Sequence, residues 1–178
     1  MKKVLILNGD NATLEDMAIR NVLEHFGYVV TMVHMGRPQD YIDIFGEKIS
    51  FDYDYLIIGC HGDQGKIMVP VLGESVYYPD ECRGNLGFEE LQGKVTIKNK
   101  TIISTGCTTG SGELYKVFTD NNNAFVAPTD YIEGNSDLMF VVQLFYHLFN
   151  GMSLEDSVAH ARQTDDETGL FKLYPALS

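Results

Sequence analysis

The sequence predicts an α/β fold in three layers, with a mainly parallel sheet of at least five strands between two layers of helices. Strand-like and helix-like segments alternate along the chain, and most of the strand-like segments are continuous apolar runs. Such runs are typical of strands that are covered on both faces. A length of 178 residues and a hydrophobic fraction of 44% suit one domain with a full core. We therefore expect a single domain over residues 1–178.

Each element is indicated by its periodicity and its flanking residues. The predicted strands are apolar and span residues 3–7, 28–34, 55–60, 101–104 and 124–127. The predicted helices carry apolar residues at helical spacing and span residues 14–26, 113–118, 137–150 and 154–162. Thr13 is the expected N-cap of the first helix, and Gly27 ends it. Residues 36–53 are interpreted as an irregular connection, and residues 66–98 as an irregular, largely non-helical excursion or hairpin. Loops as long as the latter are usually functional.

The charge and cysteine content exclude several classes of protein. With 13 Lys and Arg against 25 Asp and Glu, the formal net charge is −12. Nucleic acids and anionic membranes are therefore poor partners, and a basic protein or peptide is a better one. The three cysteines lack CxxC spacing, which favours free thiols in a reducing cytoplasm over a disulfide framework or a zinc site. The sequence indicates no cofactor, no metal site, no membrane span and no particular oligomeric state.

Two residues that follow predicted core strands could form a nucleophilic pair. His61 comes directly after the third strand, and Cys107 follows the fourth in a turn rich in Gly, Thr and Ser. If those strands are neighbours, both side chains emerge at the carboxyl edge of the sheet, where ligands bind in such folds. An imidazole and the start of a helix both favour the thiolate form of a cysteine. Cys60 should face the opposite side of its strand and belong to the core.

The same two segments resemble those of caspase-like cysteine peptidases, the group of caspases, metacaspases, gingipains and CHAT domains. An apolar strand that ends in His61-Gly62 precedes an apolar strand that ends in Cys107, at close to the roughly 50 residues expected for caspases. The segment Phe125-Val-Ala-Pro-Thr-Asp130 and the helices after it are similar to the corresponding part of CHAT-type domains. The resemblance covers residues 52–164.

This resemblance implies a caspase-like fold and the activity of a cysteine endopeptidase. It makes Cys107 the nucleophile, His61 the general base and acid, and the amides of Gly62 and Cys107 the oxyanion hole. Two departures stand out. Gly106 replaces the Ala or Ser that usually precedes the nucleophile, and the caspase pentapeptide Gln-Ala-Cys-Arg-Gly is missing, so caspase specificity for Asp is not implied.

The charge near the predicted site favours cleavage after Arg or Lys. Asp10 follows the first strand, Asp63 lies two residues beyond His61, and Asp130 follows the fifth strand. These three carboxylates are the candidate substrate-binding residues, since an acidic pocket selects a cationic side chain and a negative net charge steers basic segments to the protein.

Three alternatives remain open at this point. One is a flavodoxin-like binding domain for a small molecule or a phosphate, with residues 105–112 as the phosphate cradle. Another is an enzyme related to class I amidotransferases, although the cysteine there precedes the histidine. The third is a caspase-like scaffold without catalytic activity.

Overall fold

The computed structural model describes residues 1–176. Within them the strands are β1 Lys3–Asn8, β2 Val29–His34, β3 Tyr55–Gly59, β4 Gly62–Asp63, β5 Lys66–Ile67, β6 Thr101–Ser104, β7 Ala124–Pro128 and β8 Phe171–Tyr174. The helices are α1 Thr13–His25, α2 Pro38–Phe45, α3 Phe88–Leu91, α4 Leu114–Thr119, α5 Gly134–Phe149 and α6 Leu154–Ala161, and a 3₁₀ turn covers Thr168–Leu170.

Six of these strands form the central sheet, in the order β2-β1-β3-β6-β7-β8. Neighbours from β2 to β7 run parallel, and β8 pairs antiparallel with β7 at one edge. The short strands β4 and β5 make a separate hairpin directly after β3. The predicted α/β class with a mainly parallel sheet is confirmed.

Hydrophobic side chains cover both faces of the sheet. Because side chains alternate along a strand, Leu56 and Ile58 point to one face while Ile57 points to the other. The helices α2 and α4 pack on the first face, where the ring of Phe118 stacks on Phe125 with centroids 5.2 Å apart. On the opposite face lie α1, α5 and α6, with Phe140 among their buried residues. Five of the six residues of β1, Val4 to Asn8, are therefore buried between the two layers of helices.

Some sequence-based boundaries were wrong. The connection 36–53 contains helix α2, whose start is fixed by Pro38 in its first turn and whose Tyr41 and Phe45 are fully buried one turn apart. The helix α1 begins at Thr13 itself, after Ala12, because the hydroxyl of Thr13 donates to the side chain of Asn8 instead of capping the helix.

Two further regions complete the description. Residues 66–98 hold two short elements, β5 and the single turn α3, and are otherwise irregular. The edge strand β8 was not predicted, since its four residues follow a polar, glycine-containing segment and alternate only weakly.

Candidate active site at the carboxyl edge of the sheet

The ends of two neighbouring strands bring the predicted catalytic residues to the same edge of the sheet. Strands β3 and β6 pair in parallel, with Ile58 opposite Ser104. His61 follows three positions after the first of these residues, and Cys107 follows three positions after the second. His61 is exposed and Cys107 is half-buried. Both are therefore accessible at the edge where α/β folds bind ligands.

The alternation of side chains past the end of β3 decides what surrounds His61. At Gly59 the sheet faces α1 so closely that an added Cβ would lie 2.1 Å from a carboxylate oxygen of Asp16. Cys60 turns to the opposite face, where it is 5% exposed and belongs to the core, as predicted. His61 then lies near Glu15 of α1. Burial raises the pKa of the Glu15 carboxyl, and the nearby His61 acts in the opposite direction.

The thiol of Cys107 is held by the loop that follows β7. Its Sγ atom is 3.5 Å from the carbonyl oxygen of Ile132 and also 3.5 Å from the amide nitrogen of that residue. Within residues 1–176, the hydrogen bonds of the thiol go to Ile132 and not to His61. The two predicted catalytic side chains share one edge, but the structure does not join them by a hydrogen bond.

The backbone directly after Cys107 is strained. Thr108 has φ = 61°, a left-handed conformation that is rare for β-branched residues and costs about 1–3 kcal/mol. Two hydrogen bonds compensate for this cost: its N–H donates to the carbonyl of Asp130 at 3.1 Å, and its hydroxyl accepts from the N–H of Gly65 at 3.1 Å. Strain that persists in this way is concentrated at functional sites.

This turn leaves one amide available beside the thiol. Among the residues that the structure describes, the N–H of Cys107 has no acceptor, whereas that of Thr108 is already bonded. Gly62 packs directly on the Cys107 peptide, since a Cβ at Gly62 would lie 2.2 Å from the Cys107 carbonyl oxygen. The two residues predicted to form the oxyanion hole are thus in backbone contact, and only glycine fits at position 62.

The unusual Gly106 has a packing explanation. A Cβ at this position would lie 2.9 Å from the sulfur of Cys60 and 3.0 Å from the methyl group of Thr109. The sulfur of Cys60 therefore fills the space that the side chain of Ala or Ser would need. Gly106, which stands where caspase-like peptidases usually have Ala or Ser, is therefore explained by the position of Cys60.

Three carboxylates cluster beneath the site, and the sequence analysis missed them. Burial raises the pKa of the Asp16 carboxyl to about 7; a hydrogen bond of 2.6 Å from Asn8 opposes this shift, and the charge of Glu15 adds to it. Burial, with the charges of Glu15 and Asp16, also raises the pKa of Asp137 well above its usual value. One carboxyl oxygen of Asp137 is buried without a hydrogen-bond partner among residues 1–176.

A signal for this cluster is present in the sequence. Asp16 lies three and seven positions before Ile19 and Leu23, which are the buried apolar residues of α1. Asp137 likewise lies three positions before the buried Phe140 of α5. An acidic residue three, four or seven positions from core residues of a helix lies on the buried face of that helix. Buried carboxyls with shifted pKa values are concentrated at functional sites.

The three candidate substrate-binding carboxylates have different surroundings. A carboxylate oxygen of Asp63 accepts a hydrogen bond of 2.5 Å from the hydroxyl of Tyr131. The side chain of Asp130 accepts from the N–H of the same Tyr131 at 2.8 Å. Asp10 is exposed in the turn between β1 and α1. Asp63 and Asp130 thus border the loop that touches Cys107.

Residues 1–176 contain neither a cluster of metal-binding side chains nor a helix that could span a membrane. No group of three or more His, Cys, Asp or Glu side chains within residues 1–176 has the geometry to hold a metal ion. No helix in the same range is long and apolar enough to cross a membrane.

The fold of the chain is similar to that of a solved structure. No protein-family model matches the chain, and no curated protein is similar in sequence. A chain of the complex of the pro- and mature domains of RgpB, a gingipain of Porphyromonas gingivalis, is similar in structure, with a TM-score of 0.56 and 11% identity. The match covers 99% of this chain and 48% of that one, so the chain spans about half the length of its structural relative. The likeness confirms a caspase-like fold and carries no further conclusion at this level of identity.

Proposed function

We propose that the protein is a cysteine endopeptidase in which Cys107 is the nucleophile and His61 the general base and acid. The observation that carries this proposal is the turn at Cys107: a half-buried thiol with a free amide, followed by a strained residue, at the strand end next to that of His61. A structural cysteine needs none of these features, whereas a nucleophile needs an accessible thiol and a donor for the oxyanion.

The reaction follows the usual two steps of thiol peptidases. His61 takes the proton of the thiol, the sulfur attacks the peptide carbonyl carbon, and a C–S bond forms. The amides of Gly62 and Cys107 stabilise the oxyanion, the C–N bond breaks, and the leaving amine receives the proton from His61. Water then hydrolyses the thioester with His61 as base. His61 and the thiol must approach each other to within about 3 Å, which apo sites often achieve only when substrate binds.

Glu15 is proposed as a positioning residue for His61. Its carboxylate lies near the imidazole and packs on the first residue of α5, where a Cβ at Gly134 would lie within 1.8 Å of it. A carboxylate so placed favours the imidazolium that forms when the thiol loses its proton.

The proposed specificity is for Arg or Lys before the scissile bond. Asp63 and Asp130 both lie on segments that border Cys107, and a carboxylate there pairs with a guanidinium or an ammonium group. Fluorogenic peptides that differ only in Arg, Lys, Asp or Leu at this position test the specificity. Preferential cleavage after Asp or Leu would contradict it without affecting the roles of His61 and Cys107.

Substitution of the two catalytic residues tests the activity itself. Cys107→Ala and His61→Ala should each abolish peptide hydrolysis and leave thermal unfolding nearly unchanged, since both residues lie beyond strand ends. Cys82→Ala, which removes a half-buried thiol in the excursion, is the matched control and should retain full activity. Hydrolysis that survives in Cys107→Ala would disprove the mechanism.

A second candidate is a caspase-like scaffold without activity. It is favoured by one observation, the hydrogen bonding of the thiol to Ile132 rather than to His61. No hydrolysis of any peptide in a library, together with unreactive Cys107, would establish it. The phosphate-binding alternative is less well supported, because amides in the turn 105–112 are already bonded to protein groups, such as those of Thr108 and of Gly110, which donates to Pro128.

A further inference from the structure

The loop from Asp130 to Glu133, here called the strap, lies against the thiol of Cys107. The amide nitrogen and the carbonyl oxygen of Ile132 each lie 3.5 Å from Sγ. The strap therefore occupies hydrogen-bonding positions around the sulfur that an approaching peptide would need. It follows that the thiol is partly covered in this conformation.

The strap is attached at its two ends by backbone groups. The carbonyl of Asp130 accepts from the N–H of Thr108 at 3.1 Å. At the other end, the N–H of Glu133 donates to a carboxylate oxygen of Glu167 at 2.8 Å. These contacts define the limits of any local movement, because they leave only Tyr131 and Ile132 between them.

Two side chains hold the middle of the strap: the partly buried side chain of Ile132 packs against the hydrophobic core, and Tyr131 makes one hydrogen bond to the segment of His61. The hydroxyl of Tyr131 donates to Asp63 at 2.5 Å, while the residue is 62% exposed and makes no aromatic contact within the described residues. The bond joins the two loops that flank the candidate nucleophile, one after β3 and one after β7. Breaking it would leave the packing of Ile132 as the side-chain contact that holds the middle of the strap.

A cation is the group best suited to break this bond. Asp63 forms no ion pair within residues 1–176, although it is a carboxylate beside the site. A guanidinium offers a carboxylate two parallel, charge-assisted hydrogen bonds, whereas a phenol hydroxyl offers one. An Arg side chain therefore competes effectively with Tyr131 for Asp63, and a Lys side chain does so with a point charge.

We propose that the strap is an autoinhibitory latch, closed by the Tyr131–Asp63 hydrogen bond and opened when a cationic substrate side chain binds Asp63. This proposal rests on the proposed function, because it regulates access to the same nucleophile. A cation that engages both oxygens of Asp63 displaces the hydroxyl of Tyr131. The middle of the strap then moves away, the Ile132 side chain leaves its contact with the core, and Sγ is released from the Ile132 backbone. Access to Cys107 is thereby coupled to the chemistry of the residue before the scissile bond.

Alkylation by iodoacetamide tests the latch without any need for hydrolysis. The modified fraction of Cys107 is followed over time by mass spectrometry in the unaltered protein, in Tyr131→Phe and in Asp63→Asn. Loss of one hydrogen bond to a charged group corresponds to about tenfold in an equilibrium constant, so both variants should react about tenfold faster at Cys107. Tyr146→Phe, which alters another half-exposed tyrosine, should react like the unaltered protein, and the rate at Cys82 should be the same throughout.

Arginine amide tests whether a cation at Asp63 opens the latch, and citrulline amide is its uncharged counterpart. Arginine amide should accelerate alkylation of Cys107 in the unaltered protein and have no effect on Asp63→Asn, and citrulline amide should have no effect on either. Unchanged rates in both Tyr131→Phe and Asp63→Asn would overturn the latch, and equal acceleration by both amides would overturn its control by charge. Faster alkylation of Cys107 in Tyr131→Phe, with no peptide hydrolysed by either that variant or the unaltered protein, would instead contradict the peptidase activity and leave the latch standing.

Discussion

Replacement of Asp16 by Asn should change how the stability of the protein depends on pH. The folded state holds the pKa of Asp16 at about 7, against an ordinary value of 3.8, mainly because the carboxyl is buried. The folded state therefore binds a proton that the unfolded chain has lost, and stability decreases as pH rises from about 4 to about 7. This contribution is fully present below the unfolded pKa and is lost as pH rises to the folded one. Asn keeps the shape of the side chain and accepts the hydrogen bond from Asn8, but it does not titrate. Its contribution to stability therefore does not change with pH.

The size of the effect follows from the shift. Each pKa unit corresponds to about 1.4 kcal/mol. Between about pH 5 and about pH 7.5, the unaltered protein should lose about 2.5 kcal/mol of unfolding free energy relative to Asp16→Asn. Urea unfolding followed by circular dichroism at several pH values measures this difference. Carboxyls such as Glu81, whose pKa the hydrogen bonds from Arg37 lower, are ionised in both states above about pH 6 and contribute little slope in this range.

A matched control separates burial from the mere loss of a charge. Asp120 lies exposed after α4, and Asp120→Asn should give a stability curve parallel to that of the unaltered protein. Parallel curves for Asp16→Asn and the unaltered protein would refute the reasoning, since they would mean that Asp16 titrates alike in the folded and unfolded states. If the stability of the unaltered protein instead rose with pH relative to that of Asp16→Asn, the fold would stabilise the ionised carboxylate.

Three further results are expected. Gly106→Ala should destabilise the protein by about 1–3 kcal/mol in urea unfolding, because the added methyl group would contact Cys60. The addition of Cys60→Ala should recover part of that loss. Strictly additive effects of the two substitutions would contradict the packing explanation. Cys60→Ala alone should cost about 1–2 kcal/mol of stability and leave peptide hydrolysis intact, which an activity assay on the folded protein checks. Glu15→Gln should lower kcat about tenfold with KM unchanged, and Glu15→Asp should restore part of the rate, whereas a change confined to KM would argue against a positioning role.

The parallel strands could be predicted because burial on both faces leaves a strong local signal. A run such as that of β3, with Leu56, Ile57 and Ile58 in succession, is compatible with few environments other than the centre of a covered sheet. The helix α2 was missed because its eight residues are flanked by Gly, Pro and charge, which dominate a local reading. It is stabilised chiefly by burial of Tyr41 and Phe45 against the sheet, which is a tertiary effect.

For the candidate site too, the sequence predicted some features and only the structure showed the others. The sequence by itself determined that His61 and Cys107 each follow a core strand of a mainly parallel sheet. Only the structure showed that these two strands are neighbours. Only the tertiary structure decided that Ile132 covers the thiol, that Tyr131 is bonded to Asp63, and that three carboxylates meet below the site. These contacts join residues far apart in the chain, and each depends on the spatial meeting of separate loops and helix ends. Local periodicity carries no information about such meetings, because it records which face of an element is buried and not what lies against it.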